Sequence, residues 1–475
     1  MAGPRPDAVV VGAGPNGLAA AITLARAGRS VVVYEAEPTP GGGCRSEPLT
    51  LPGFVHDVCS AVHPLAAGSL FFRTLPLRDF GVELVHPGAP LAHPLDSDEP
   101  AVLCRDLEET AAGLGRDGAA YRRLFHPLVT HIDELLGEIH GPLRPPRHPF
   151  ILARFGMRAM MPAVALSRAY FREPRARAMF TGMAGHSILP LTMPFTAAAA
   201  LLLGTVGHAY GWPFVEGGSQ ALAEALVAYL QSLGGEVITD HRVTNLDQLS
   251  DARAVLFDLT PRQILTIAGD ELSSRYRRSL EHYRYGPGVF KLDWALKEPI
   301  PWKADACRQA GTVHLGGTME EVAAGEAAVW RGEHPERPYT LLAQPSLFDA
   351  TRAPAGKHTG WAYCHVPNGS TFDMTERIEA QVERFAPGFR DVIEARSALT
   401  PADMERHDAN FIGGDINAGV QDYRQLFTRP AVRPNPYTTS NPRLFICSSS
   451  TPPGGGVHGM CGYFGAQAAL KRVLA

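Results

Sequence analysis

A short apolar run, Val9-Val10-Val11, gives way to Gly12-Ala13-Gly14-Pro15-Asn16-Gly17, then to an apolar-rich stretch, and then to a second run, Val31-Val32-Val33-Tyr34, that ends on Glu35. Short apolar runs bounded by glycine read as buried strands and the stretch between them as a crossover helix. The first 35 residues therefore predict strand, tight turn, helix, strand. The alternation returns twice. Gly217-Gly218-Ser219 opens a helical pattern over Ala221–Leu230, which stops at Gly234-Gly235 and passes into strand candidates at Glu236–Thr239 and Ala254–Asp258, the latter ended by Pro261. Near the C-terminus Arg443–Cys447 leads through the glycine-rich Pro452–Gly459 to a helix from about Tyr463 to Leu474.

Between these pieces, residues 76–214 are helix-rich and residues 286–435 are mixed, with aromatic strands such as Gly288–Leu296. The interleaving predicts an α/β architecture with a discontinuous Rossmann-like nucleotide domain, residues 1–75, 215–285 and 436–475. An α+β substrate or cap domain, residues 76–214 and 286–435, is inserted into it.

The spacing around the first turn carries chemistry. Gly12 permits the sharp turn, Gly14 lets backbone approach a pyrophosphate, and Gly17 lets the helix pack close to the sheet. The phosphates of a dinucleotide then meet the helix N-terminus, where free N–H groups and the dipole favour negative charge. Glu35, 18 residues after Gly17, is placed to accept from a ribose 2′-OH and would repel a 2′-phosphate, which disfavours NADP. The fingerprint alone leaves FAD and NAD open.

Composition narrows the class. With 475 residues and 45% hydrophobic content the chain is an ordinary globular protein of two or more units, and a net charge of −4 gives no reason to expect nucleic acid. Its 7 cysteines form no C-x-x-C pair and are odd in number, which points to a reducing compartment. No secretory leader and no run long enough to span a bilayer is evident, so a cytoplasmic protein is expected. Between Leu143 and Phe171, arginines (Arg144, Arg147, Arg154, Arg158, Arg168) alternate with Phe150, Ile151, Leu152, Met157, Met160 and Met161. This pattern fits either an interfacial helix on a membrane surface or a cap helix packed on its own domain.

The triplet Gly41-Gly42-Gly43 followed by Cys44-Arg45-Ser46 resembles the glycine-doublet motif of FAD proteins of the glutathione-reductase structural class, above all the amine oxidase and phytoene desaturase group. Pro453–Gly462, Trp361–Pro367, Phe385–Phe389, Gly53–Asp57 and Gly413-Gly414-Asp415 extend the similarity almost end to end. They resemble the phytoene desaturase-like branch that includes the pyridine nucleotide-disulfide oxidoreductase domain-containing protein 2 type. The resemblance implies FAD as cofactor, held by Gly12, Gly14, Pro15, Asn16, Gly17, Glu35, Ala36, Gly42, Gly43, Cys44, Arg45, Val243, Ser449, Gly456, Val457 and His458. It places the C-terminal glycine segment under the flavin. One departure stands out: relatives carry a Gly-Asp pair after the last strand, whereas this chain has Cys447-Ser448-Ser449-Ser450.

The same resemblance implies dehydrogenation of a small or medium-sized lipophilic substrate, with hydride passing to flavin N5 and electrons leaving to oxygen or a quinone. Amine oxidation, flavin-dependent isomerisation and a non-catalytic FAD-binding role are the alternatives. A proton acceptor, if the protein supplies one, is sought among the histidines for their pKa, and His458, His365 and His63 are the foremost candidates. Trp212, Trp361 and Tyr363 form either an aromatic cage or ordinary sheet packing. No histidine or cysteine spacing matches a metal site.

Overall fold

The computed structural model describes residues 5–96, 99–249 and 252–475. Two sheets organise it. The first is five-stranded and wholly parallel, in the spatial order Leu444–Ile446, Ala254–Phe257, Ala8–Val11, Val31–Tyr34, Glu236–Ile238. Central strands covered on both faces must be apolar throughout, and Ala8–Val11 and Ala254–Phe257 are buried at every position. The helices Pro15–Arg26, Ser219–Ser232 and Met460–Arg472 pack on one face of this sheet around a core that includes Leu18, Ile22, Leu226 and Ala466.

The first and last helices approach unusually closely. A Cβ on Gly462 would sit 1.8 Å from the carbonyl oxygen of Asn16, so only glycine admits this contact. The C-terminal helix begins at Met460, three residues before the sequence expectation, because Gly459 takes a left-handed φ of 68° and His458 caps the first turn.

The second sheet has seven strands in the order Ile393–Leu399, Gly288–Leu296, His358–Val366, Thr340–Ala343, Ala310–Leu315, Ala89–His93, Ala101–Leu103. It is antiparallel except where Ala310–Leu315 runs parallel to Ala89–His93. Two of its strands thus come from the stretch that the sequence marks as helix-rich. One face of this sheet, carrying Leu292, Trp294, Leu342 and Ala362, is sealed by its own core. The opposite face carries Thr312, His314, Leu341, Trp361 and Tyr363 and is covered by the helical layer of Pro174–Gly185 and Ala197–Tyr210. Between that face and the parallel sheet runs the cavity described next.

Candidate active site

The cavity begins at the carboxyl end of the parallel sheet, where the strand Ala8–Val11 turns into the first helix. Gly12 has a φ of 102°, and a Cβ on Gly17 would lie 2.0 Å from the Gly12 carbonyl oxygen. A Cβ on Gly14 would meet the Asp258 carboxylate at 2.9 Å. The three glycines therefore make room for the chain's own backbone and for Asp258 as well as for a ligand. Asp258 Oδ2 accepts the Gly17 N–H at 2.7 Å, and burial pushes its carboxyl up to about 8 while that hydrogen bond pulls it down.

Glu35 stands at the tip of the neighbouring strand. Its oxygens accept the N–H groups of Ala13 (2.7 Å) and Glu37 (3.0 Å), and burial raises its carboxyl above the ordinary range. Beyond it the Gly42–Cys44 turn closes on Gly14: a Cβ on Gly42 would lie 3.2 Å from the Gly14 Cα, and one on Gly43 would lie 3.2 Å from the Phe411 ring. Arg45 is buried among backbone acceptors, donating to the carbonyls of Gly42 and His407.

Of the residues the sequence assigns to the cofactor, Gly12, Gly14, Pro15, Asn16, Glu35, Ala36, Gly42, Gly43, Cys44, Arg45, Val243, Ser449, Gly456 and Val457 line this one cavity, as does His63. Gly17 lies behind its wall, packed on Gly12. His458 is turned away from it. The His458 Nδ1 accepts the Met460 N–H at 3.0 Å, its carbonyl accepts the Ser69 hydroxyl, its ring lies tilted at 36° to that of His140 with centroids 5.6 Å apart, and burial pulls its pKa down to about 4. The structure thus gives His458 the work of a helix cap.

The remaining candidate bases differ in setting. His63 Nε2 lies 2.8 Å from Ser219 Oγ, whose proton goes to the Ser60 carbonyl, so Nε2 carries the ring hydrogen and Nδ1 keeps a lone pair without a partner. His365 follows Tyr363 on the same face of its strand, and its Nδ1 donates to both Glu326 oxygens at 2.9 Å, which leaves Nε2 unpartnered. Nearby, His186 lines the cavity with its Nε2 3.1 Å from His314 Nε2; burial pulls both rings well below the ordinary histidine range.

The inner walls are apolar and aromatic: Ile188, Leu203, Trp212, Leu341, Trp361 and Tyr363. Trp361 and Tyr363 meet edge to face, with centroids 5.2 Å apart at 88°, and not as parallel plates. Behind Trp361 lies a buried charge cluster that the sequence does not announce. The Lys291 ammonium pairs with Asp293 and sits 5.7 Å from the Trp361 ring centroid, and His56 approaches Asp293 at 3.5 Å.

Sequence reading missed one whole wall. His407, Asp408, Ala409, Asn410 and Phe411, with Ile416, Asn417 and Ala418, line the dinucleotide end although they lie within the span assigned to the cap. The signal available was Gly413-Gly414-Asp415: Gly413 and Gly414 both have positive φ, and buried Asp415 accepts the N–H groups of Gly286, Asn417 and Gly419, which folds this loop back.

Two of the lining residues, Asn16 and His63, carry buried polar atoms without partners, Oδ1 and Nδ1, and the glycines at 12, 14, 42 and 43 keep the wall free of side chains. Those features fit FAD. The fold and this groove together define an FAD-dependent oxidoreductase with a Rossmann-like domain of the amine-oxidase type. Residues 10–71 match the model of the NAD(P)-binding Rossmann-like domain. The chain is a homologue of the phytoene desaturases: it is 26% identical to the lycopene-forming phytoene desaturase of Pseudescherichia vulneris, covering 97% of this chain and 98% of that protein. It is 25% identical to pyridine nucleotide-disulfide oxidoreductase domain-containing protein 2 of Rattus norvegicus, over 97% of this chain and 92% of the relative. Its fold also matches putrescine oxidase solved with putrescine bound, at a TM-score of 0.60 and 18% identity, covering 98% of each chain.

Proposed function

We propose that the protein dehydrogenates a neutral, lipophilic substrate, with FAD as the two-electron acceptor and oxygen or a quinone as the final one. The observation that carries this reading is the continuity of the cavity. The turn that suits a dinucleotide and the aromatic face of the second sheet open into one space. Gly12, Gly14, Asn16, Glu35 and Arg45 would hold the dinucleotide, and Ser449, Gly456 and Val457 the flavin end. Bound FAD supplies a hydride acceptor; the chain's own residues bind, orient and exclude water.

For the proton that leaves with the hydride, His63 is the proposed acceptor, because it lines the cavity and its Nδ1 lone pair has no partner among the described residues. His365 stands outside the cavity lining, with its Nδ1–H held by Glu326. Among the described residues the inner walls offer an ammonium no carboxylate: Glu35, Glu37, Asp258 and Asp408 all belong to the dinucleotide end, and Glu326 is engaged by His365. That favours a neutral substrate over an amine.

Entry from a lipid surface is part of the proposal. Leu143, Phe150, Met157 and Met160 are exposed, Phe150 at 90%, on and beside the helix Pro149–Ala159 among Arg144, Arg147, Arg154 and Arg158. Among the described residues no single helix is long and apolar enough to cross a membrane.

The test is an absorbance spectrum of the purified protein, then anaerobic photoreduction and reoxidation by air or a quinone in the presence of candidate lipids and amines. A flavin spectrum with turnover of neutral lipophilic substrates supports the reading. Turnover of amines with peroxide release replaces it with amine oxidation, and a protein that takes up no FAD refutes it.

A further inference from the structure

One strong cation lies just behind the cavity wall where the loop Ile416–Ala418, Ser449 and the glycine segment meet. Arg429 is 1% exposed, and a guanidinium stays charged under all ordinary conditions. Its Nη2 donates to the carbonyl of Ser449 at 2.7 Å and to those of Asn417 and Ala418 at 3.4 Å. All three carbonyls belong to residues that line the cavity. Its Nε and Nη1 have no hydrogen-bond partner.

The nearest carboxylates direct their hydrogen bonds elsewhere, although the guanidinium lies close enough to Asp415 to pull its carboxyl down against the upward push of burial. Asp415 takes the N–H groups of Gly286, Asn417 and Gly419, and Asp422 pairs with Arg284 at 2.7 Å. Among the described residues, none forms an ion pair with Arg429. The glycine segment lies directly on the guanidinium: a Cβ on Gly454 would sit 3.4 Å from Arg429 Nη1. A buried, unpaired charge is unfavourable unless an anion arrives, and in a low-dielectric wall its field extends into the space beyond.

We infer that Arg429 is the fixed countercharge of the cofactor, a positioning residue that stitches the wall at Ser449, Asn417 and Ala418 and raises the reduction potential of bound FAD. The inference rests on the FAD reading above. Taking up a hydride brings the cofactor two electrons and one proton, hence one net negative charge, and a cation close behind the wall lowers the energy of that form relative to the oxidised one. No contact between Arg429 and the ligand is required.

The test compares the FAD-loaded wild type with Arg429→Gln and Arg429→Lys, by equilibration with a redox dye of known potential under dithionite titration and by thermal melting with flavin release. Arg429→Gln is expected to shift the equilibrium at least tenfold toward the oxidised form, about 30 mV for a two-electron couple. Arg429→Lys keeps the charge but cannot span three carbonyls, so it is expected to hold the potential within about threefold in that equilibrium while melting lower. Arg429→Gln with the wild-type potential overturns the inference. So does Arg429→Lys with a tenfold loss, which decides the matter if Arg429→Gln does not fold. A chain that takes up no FAD overturns the cofactor reading and this inference together, whereas FAD uptake with an unchanged potential overturns the inference alone.

Discussion

Replacing Asp258 by asparagine should change how stability depends on pH, in a direction opposite to that of most carboxylates. Asp258 Oδ2 accepts the Gly17 N–H, and burial pushes its carboxyl up to about 8, with Asp408 and Glu35 adding to the rise. In the unfolded chain the same group ionises near 3.8. The native state therefore keeps a proton that the unfolded state releases, so stability is fully present below the unfolded pKa and is lost as pH rises through about 8. A gap of about 4 units corresponds to about 5–6 kcal/mol in full, and to about 2 kcal/mol between about pH 6 and pH 8. Asparagine has nearly the same shape, can still accept from Gly17 and does not titrate. Urea unfolding of the FAD-free wild type and Asp258→Asn protein at steps across that range should show the variant gaining about 2 kcal/mol on the wild type as pH rises. Parallel profiles for the two proteins would refute the claim that a largely neutral carboxyl stands at the head of the first helix.

Acid should act through the histidines. Burial pulls His63, His93, His140, His186, His208 and His458 down to about 3 to 4, so each is neutral in the native state and stability falls as pH drops below about 6.5. At about pH 5 each costs about 2 kcal/mol, and together they should unfold the protein there, as followed by circular dichroism. Gly462→Ala must part the first and last helices, at a cost of about 1–3 kcal/mol or more, visible as a lower melting temperature with earlier flavin release; an unchanged melt would contradict the 1.8 Å approach to Asn16. Glu35→Gln should weaken FAD about tenfold in a calorimetric titration, because a charge-assisted acceptor for the ribose becomes neutral. Arg352→Met leaves Asp57 buried without the guanidinium that, against the upward push of burial, holds its carboxyl low; the expected loss is about 3–5 kcal/mol in denaturant unfolding.

What the sequence made legible was local. The first strand-turn-helix-strand unit could be read because glycine positions and apolar runs sit within 35 residues of one another, and Gly288–Leu296 because its nine residues form one long strand. Ala89–His93 and Ala101–Leu103 are not legible because five and three residues carry too little pattern; the first becomes a strand by joining Ala310–Leu315, more than two hundred residues away, and the second by joining the first. The cavity shows the same division. Gly12, Gly14 and Glu35 announce themselves through spacing, whereas Asp258 in the sequence is merely the residue after an apolar strand, and the His365–Glu326 pair is assembled by the fold from a strand and a helix. His458 stands out in the sequence for its place in a glycine segment, and in the fold its Nδ1 accepts the Met460 N–H.

The distribution of charge along the cavity connects these findings. Glu35, Asp258 and Asp408 crowd the end where an anionic dinucleotide would lie, an arrangement that would repel it if all three were ionised. Burial raises all three carboxyls above the ordinary range, and Asp258, pushed up to about 8, keeps its proton near neutral pH, so the crowd is less negative by that one charge. The cations are placed differently. Arg45 has backbone carbonyls for partners and stays charged at the groove, Arg429 is held behind Ser449, and Lys291 lies behind Trp361 with Asp293 beside it. A carboxyl can shed its charge by taking a proton, but a guanidinium in this range cannot. With Asp258 protonated the arginines act against one carboxylate charge fewer, and their field favours both holding an anionic cofactor and adding electrons to it. On this argument Asp258→Asn and Arg429→Gln should act on different quantities: the first on the pH dependence of stability, the second on the potential of the bound flavin. Being carried by separate charges, the two effects should add in the double variant.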